Sequence, residues 1–219
     1  MKKHIELSKV SYLRPNGQVC AKSLDFCLTG SQKVAITGCN GSGKSTLLQV
    51  MLGLLAGISG EIKLFGNTCQ SERDFARYRT RIGYLFQDSD DQLFCPTVME
   101  DVCFGPINQG YSQSEAEVMA HDTLRQLGIE HLVDQVSYRL SGGQKKLVSL
   151  ATVLVMKPEV LLLDEPTNGL DEKNYQRFVD IVRATALPIV LISHDQVLRQ
   201  ALTEIEYRLH DGQLIKQPC

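Results

Sequence analysis

Several features that would announce a function directly are missing from this chain. Acidic and basic residues nearly cancel, 25 against 23, for a formal net charge of −2, so no charge excess points to nucleic acid as the main ligand. The one Arg-rich stretch, Glu72 to Arg81, has acids mixed into it and fits a solvated helix face. No apolar run approaches the roughly 18 residues of a membrane span, and the opening "MKKHIELSKV" lacks the apolar core of a signal peptide. The seven cysteines include no CxxC and no nearby histidine pair. Neither a zinc site nor a secreted disulfide framework fits that pattern, and reduced thiols acting as small hydrophobes are expected. Repeats, linkers and low-complexity tracts are absent as well.

What is present is the patterning of one α/β domain with a core of ordinary size. Short alternating runs (Ile5 and Leu7; Leu24, Phe26 and Leu28; Val34 to Thr37) predict N-terminal strands separated by Gly and Asn turns. Leu47, Leu48, Met51, Leu52 and Leu55 then recur at helical spacing. The middle of the chain predicts helices, opened by capping-box patterns at Thr97/Glu100 and Ser114/Glu117 and by Gly142. "VLLLD" (Val160 to Asp164), a helix over Glu172 to Ala186 and "PIVLIS" (Pro188 to Ser193) read β-α-β. Continuous apolar strands alternating with helices predict a parallel sheet covered on both faces. "HDG" (His210 to Gly212) predicts a terminal hairpin. The expected division is an α/β core over 1–87 and 158–219, with a helical subdomain over 88–157, within a single domain 1–219.

"GCNGSGKS", Gly38, Cys39, Asn40, Gly41, Ser42, Gly43, Lys44 and Ser45, satisfies G-x-x-x-x-G-K-[ST] between a strand and a helix. Its glycines allow successive backbone N–H groups to turn toward phosphate oxygens at a helix N-terminus. Lys44 is expected on the β- and γ-phosphates of ATP, Ser45 on Mg²⁺, and Thr46 in the first helical turn beside them. Asp164 leaves a buried strand at its carboxyl end, where ligands sit in open α/β sheets, and is a candidate for the Mg²⁺ shell. Glu165, the next residue, is a candidate to polarise an attacking water. "LSGGQ" (Leu140 to Gln144) places Ser141, Gly142, Gly143 and Gln144 at a helix start, a second phosphate cradle. Two cradles in one chain imply that one serves a nucleotide held by another chain.

In this order the motifs resemble, over essentially the full length, the nucleotide-binding subunits of ABC transporters. The likeness covers the P-loop, a Q-loop glutamine Gln87 in "YLFQD", the signature Leu140–Gln144, the Asp164–Glu165 pair, "NGLD" (Asn168 to Asp171) and His194 in "ISHD". It implies a P-loop NTPase fold and a head-to-tail dimer, of identical or paralogous subunits. Two ATP molecules would lie at its interface. It also implies that Gln87 senses the γ-phosphate and joins Ser45 and Asp164 at Mg²⁺, that Glu165 is the general base, and that His194 supports the attacking water. The adenine-stacking aromatic of the family is replaced by Arg14, with Tyr12 two residues earlier, so either is a candidate for the base. Leu147 stands where Arg is common after the signature. With only a short stretch after His194, no C-terminal regulatory domain is expected.

The segment "DQLFCPTVMEDVCFGPINQG", residues 91–110, is too irregular for a strand and too apolar for a solvated loop. It follows Gln87, where ABC transporter subunits receive a helix of the membrane protein. It looks in particular like the matching segment of energy-coupling factor (ECF) importers of cobalt, nickel or vitamins such as biotin. Leu93, Phe94, Val98, Val102 and Phe104 are then expected to form or support a groove for a transmembrane coupling protein, with the substrate chosen by a further membrane component. The likeness implies a peripheral position on the cytoplasmic face of the membrane. An ATPase of another ABC system, an exporter or cell-division complex, remains an alternative. A soluble ABC protein of DNA repair or translation is a more distant one, since those carry coiled-coil insertions or tandem halves.

Overall fold

A computed structural model describes residues 1–13 and 19–217 of the chain. The chain folds as two compact units. The first comprises the chain up to Ile82, Val160–Leu162 and the residues from Ala186 on; the second comprises Gly83–Glu159 and Leu163–Thr185. The helical segment expected over 88–157 lies inside the second unit, which extends beyond it.

The first unit opens with β1 (Lys3–Leu13) and β2 (Val19–Thr29), paired antiparallel as the alternation requires. After β3 (Lys33–Thr37) and α1 (Lys44–Met51) come β4 (Ser59–Leu64), β5 (Asn67–Cys69) and α2 (Glu72–Arg79). The antiparallel strands form a four-stranded sheet in the order β2-β1-β4-β5. In α2, Ser71 and Asp74 close a capping box, Arg79 pairs with Glu72, and its guanidinium also donates to the Leu52 and Gly53 carbonyls. That is the solvated, internally paired helix expected of an Arg-rich stretch with acids in it.

β6 (Ile82–Leu85) leads into the second unit, which holds α3 (Val98–Asn108), α4 (Gln113–Gln126), two 3₁₀ turns (Glu130–Leu132 and Ser137–Arg139) and α5 (Gly142–Leu154). α3 starts at the Thr97/Glu100 capping box as expected. α4 does not start at Ser114/Glu117: its box is Ser112/Glu115, two residues earlier. The sequence carries both S-x-x-E patterns, and the helix nucleates on the first, which adds intrahelical hydrogen bonds.

β7 (Val160–Asp164) is buried along its whole length. It is followed by α6 (Glu172–Ala184), β8 (Ile189–Ile192), α7 (Gln196–Leu202), β9 (Ile205–His210) and β10 (Gln213–Lys216). The second sheet has the order β10-β9-β3-β8-β7-β6. β3 runs parallel to both β8 and β9, and β9 and β10 form the expected hairpin. Val34, Ala35 and Ile36 are 1% exposed or less, as are Ile189 to Ile192, so this sheet has a dry centre and its loops carry the polar residues.

Candidate functional site

In the first unit, β3 delivers the chain into the loop 38–43, and α1 starts at Lys44. Gly38 has φ +149°, and a Cβ there would sit 2.5 Å from the Leu209 carbonyl oxygen of β9, so only glycine lets the loop lie this close to β9. The N-cap of α1 is Gly43, which offers no side-chain cap; the other six α-helices among the described residues are capped by Ser71, Thr97, Ser112, Ser141, Asp171 and Asp195. The first-turn N–H groups of α1, those of Lys44, Ser45 and Thr46, are therefore left to a ligand, and an anion fits them. Cys39, Asn40 and Gly41 lie at the surface of the loop, while the Ser42 hydroxyl is buried without a hydrogen-bond partner.

Lys44 is 8% exposed, and its ammonium donates to the carbonyls of Gly38 (2.9 Å) and Cys39 (3.2 Å). His194 Nε2 lies 3.4 Å from the same ammonium. An ammonium only donates, so Nε2 is the accepting nitrogen in this contact. His194 stands two residues past β8, whose register against β3 (Lys33 opposite Ile189) brings it to the loop. Tyr12 is 1% exposed, and its hydroxyl donates to the Gly43 carbonyl at 3.4 Å. The ring is thus packed beneath the loop, which its hydroxyl props. Arg14, the other candidate, lies outside the described residues.

In the second unit, Asp164 ends β7 at 2% exposure and Glu165 follows at 6%. The Tyr84 hydroxyl donates to Asp164 Oδ2 at 3.4 Å. Burial, and then the negative charge of Asp164, push the Tyr84 phenol far above its ordinary range. Glu165 has φ +42°, a left-handed backbone that a side-chain-bearing residue holds only under constraint. A buried carboxylate such as Asp164, with hard oxygen donors, fits Mg²⁺. Gln87 lies at the bend after β6.

Ser141 caps α5, its hydroxyl accepting from the Gln144 N–H (3.3 Å) while Gln144 Oε1 accepts from the Ser141 N–H (2.9 Å). The Gln144 oxygen is thus engaged locally, whereas the Ser141 hydroxyl keeps its hydrogen for an outside acceptor. A Cβ on Gly142 would meet nothing closer than 3.9 Å; one on Gly143 would lie 2.5 Å from Asn174 Nδ2. In "NGLD", Asp171 caps α6.

Sequence reasoning missed Lys146. It is 3% exposed, and its ammonium donates to the carbonyls of Phe86 (3.2 Å) and Gln87 (2.9 Å); burial pulls its pKa below that of an ordinary lysine. The signal was there: Gly143, Lys146, Leu150 and Val153 fall on one helical stripe, and all four are buried.

Within 91–110, Leu93, Val98 and Val102 are buried, at 9%, 0% and 0% exposure, and can only support a surface from beneath. Phe94 and Phe104 are exposed, their rings edge to face at 4.8 Å. Asp101, 4% exposed, holds the segment by accepting from the N–H groups of Phe94 (3.0 Å) and Cys95 (2.9 Å) and from the Ser137 hydroxyl (2.6 Å).

The family model described as ABC transporter matches residues 21–168 of this chain. An uncharacterised ABC transporter ATP-binding protein of Haemophilus influenzae is 46% identical over 191 residues, 87% of this chain and 88% of that protein. The energy-coupling factor transporter ATP-binding protein EcfA of Methanosphaera stadtmanae is 35% identical over 216 residues, 97% of this chain and 78% of the relative. Among solved structures, cbiO1 of Clostridium perfringens, described as part of the ABC transporter complex cbiONQ, superposes with a TM-score of 0.85 at 32% identity. That match covers 98% of this chain and 88% of the other.

Proposed function

Because the chain belongs to the ABC transporter family, as an ATP-binding subunit that hydrolyses ATP, we propose that it powers an ECF-type importer of a transition-metal ion (cobalt or nickel) or of a vitamin such as biotin. The observation that carries this narrower reading is the exposed Phe94–Phe104 pair, aromatic surface on a segment pinned in place by Asp101. Such a pair suits an apolar helix of a membrane protein laid across it. The likeness to EcfA along almost the whole chain supports the same reading. Among the described residues no helix is long and apolar enough to cross a membrane, so attachment to the cytoplasmic face is assigned to the partner.

In this proposal the uncapped α1 binds the phosphates of ATP through Lys44, Ser45 and Thr46, and phosphate takes Lys44 away from the Gly38 and Cys39 carbonyls. The same displacement releases His194 from its contact with Lys44 to orient the attacking water. Ser45, Asp164 and Gln87 are assigned to Mg²⁺, which when bound neutralises charge developing on the phosphate oxygens. Glu165 takes the proton of that water. Ser141 and Gly142, at the start of α5, are assigned to the nucleotide of a second subunit, identical or paralogous.

Purifying the tagged chain from detergent-solubilised membranes and reconstituting what accompanies it tests the proposal. The expected result is a transmembrane protein and ATP-dependent uptake of labelled cobalt, nickel or biotin. Recovery with soluble partners alone would overturn it.

A further inference from the structure

Lys146 has no part in the roles just assigned, yet its ammonium is buried, and the described contacts that hold it are two successive carbonyls, Phe86 and Gln87. A leucine would fill the same helical stripe without desolvating a charge. What the lysine supplies instead is a directional hold on the backbone at the point where the chain leaves β6. A neighbour reinforces it. Gln92 Oε1 accepts from the Phe86 N–H (3.2 Å), while Gln92 Nε2 donates to the Ser149 carbonyl (3.0 Å) and the Thr152 hydroxyl (2.9 Å) of α5. At the surface Lys145 and Asp90 add an ion pair at 2.5 Å. Residues 86–92 are therefore tied to α5 through three separate side chains of opposite origin: Lys145 and Lys146 reach out from the helix, and Gln92 reaches into it.

We propose that Lys146, seconded by Gln92, is a positioning residue that fixes the backbone of Gln87 to the helix beginning at Ser141, so that both move as one body. The proposal rests on the assignment of Gln87 and Ser141 to nucleotide. It adds that the glutamine facing one ATP and the cradle facing the other are joined inside a single subunit by this lysine. Engagement of α5 then sets where Gln87 stands.

Lys146→Met keeps most of the stem and removes the donors. ATP turnover is measured against ATP concentration with the full chain, alone and in a Gln87→Ala background, together with thermal unfolding. The expected outcome is a kcat lowered by roughly ten- to a hundredfold, the size of effect a misplaced catalytic group produces, with KM changed by less than about threefold. In the Gln87→Ala background Lys146→Met should cost little more, because the position of a missing side chain no longer matters. The same fractional loss in both backgrounds, or none in either, overturns the proposal and leaves Lys146 a packing residue. If Lys146→Met does not fold, Gln92→Ala is read by the same pair of outcomes. A Gln87→Ala chain with normal turnover would remove Gln87 from the mechanism and this proposal with it. A slow Gln87→Ala beside a normal Lys146→Met sinks the proposal alone.

Discussion

Glu165 combines three properties seldom found together: a carboxylate, 6% exposure and a left-handed backbone. Such a conformation costs about 1–3 kcal/mol, so its surroundings hold the side chain in one place. Glu165→Gln keeps that shape while removing the carboxylate proposed as the base. ATP hydrolysis should fall by about 10²–10⁴-fold with binding retained, and size-exclusion chromatography in ATP·Mg should show a dimer. Normal turnover by the variant would remove Glu165 from its role. Cys39 is the second residue with a clear expectation, since it and Cys27 are exposed thiols. Cys95 and Cys103 are pushed up to about 11, mainly by burial, with carboxylates adding to it, and should react slowly near neutral pH. Among the described residues a bulky thiol reagent should therefore label Cys39 and, more slowly, Cys27, whose thiol burial also pushes up, and ATP should protect only Cys39. Inhibition that survives Cys39→Ala would place the sensitive thiol elsewhere.

α3 and the segment before it divide their residues between a buried and an exposed face. Val98 and Val102 are core, and Asp101 ties the preceding turn down, while Phe94 and Phe104 face outward. Replacing both phenylalanines by Ser should leave the melting temperature nearly unchanged and abolish recovery of the membrane partner. Unfolding of the variant would mean that the rings belong to the core. Asp101→Ala should do the opposite, destabilising the free subunit by about 1–3 kcal/mol through stranded donors, as chemical denaturation would read. At this scale the sequence was legible wherever a pattern was local. The Thr97/Glu100 box, buried "VLLLD" and the "HDG" hairpin are short-range and formed as expected. Two patterns defeated it: overlapping S-x-x-E motifs left the start of α4 ambiguous by two residues, and α7 is too short to show a period. Which apolar residues of 91–110 point outward depended on the turn at Asp101, a long-range bond to Ser137 that no spacing reveals.

The two proposed cradles differ in kind: α1 beside Lys44 is uncapped and α5 is capped at Ser141. If each nucleotide uses one cradle from each of two chains, inactive variants should rescue one another. Lys44→Ala should disable the first and Gly142→Asp the second, where an added Cβ meets nothing closer than 3.9 Å. Neither alone should hydrolyse ATP. An equal mixture should recover roughly a quarter of wild-type activity, since about half of all pairs are mixed and each mixed pair keeps one of its two sites. No recovery would argue for sites built within one chain. The phosphate loop was readable because its residues are contiguous. The Lys44–His194 contact, between residues 150 apart in the chain, needed the parallel register of β3 and β8 to be seen.

The two signature glycines also diverge in what they would tell a mutational library. At Gly142 a methyl group has open space, whereas at Gly143 it runs into Asn174. A population of variants screened only for soluble expression should keep Ala at 142 and lose it at 143. Screening the survivors for ATP hydrolysis should then purge position 142 as well. Enrichment ratios from the two screens would thus separate, for neighbouring and chemically identical residues, a constraint set by folding from one set by the proposed contact with a second subunit's nucleotide.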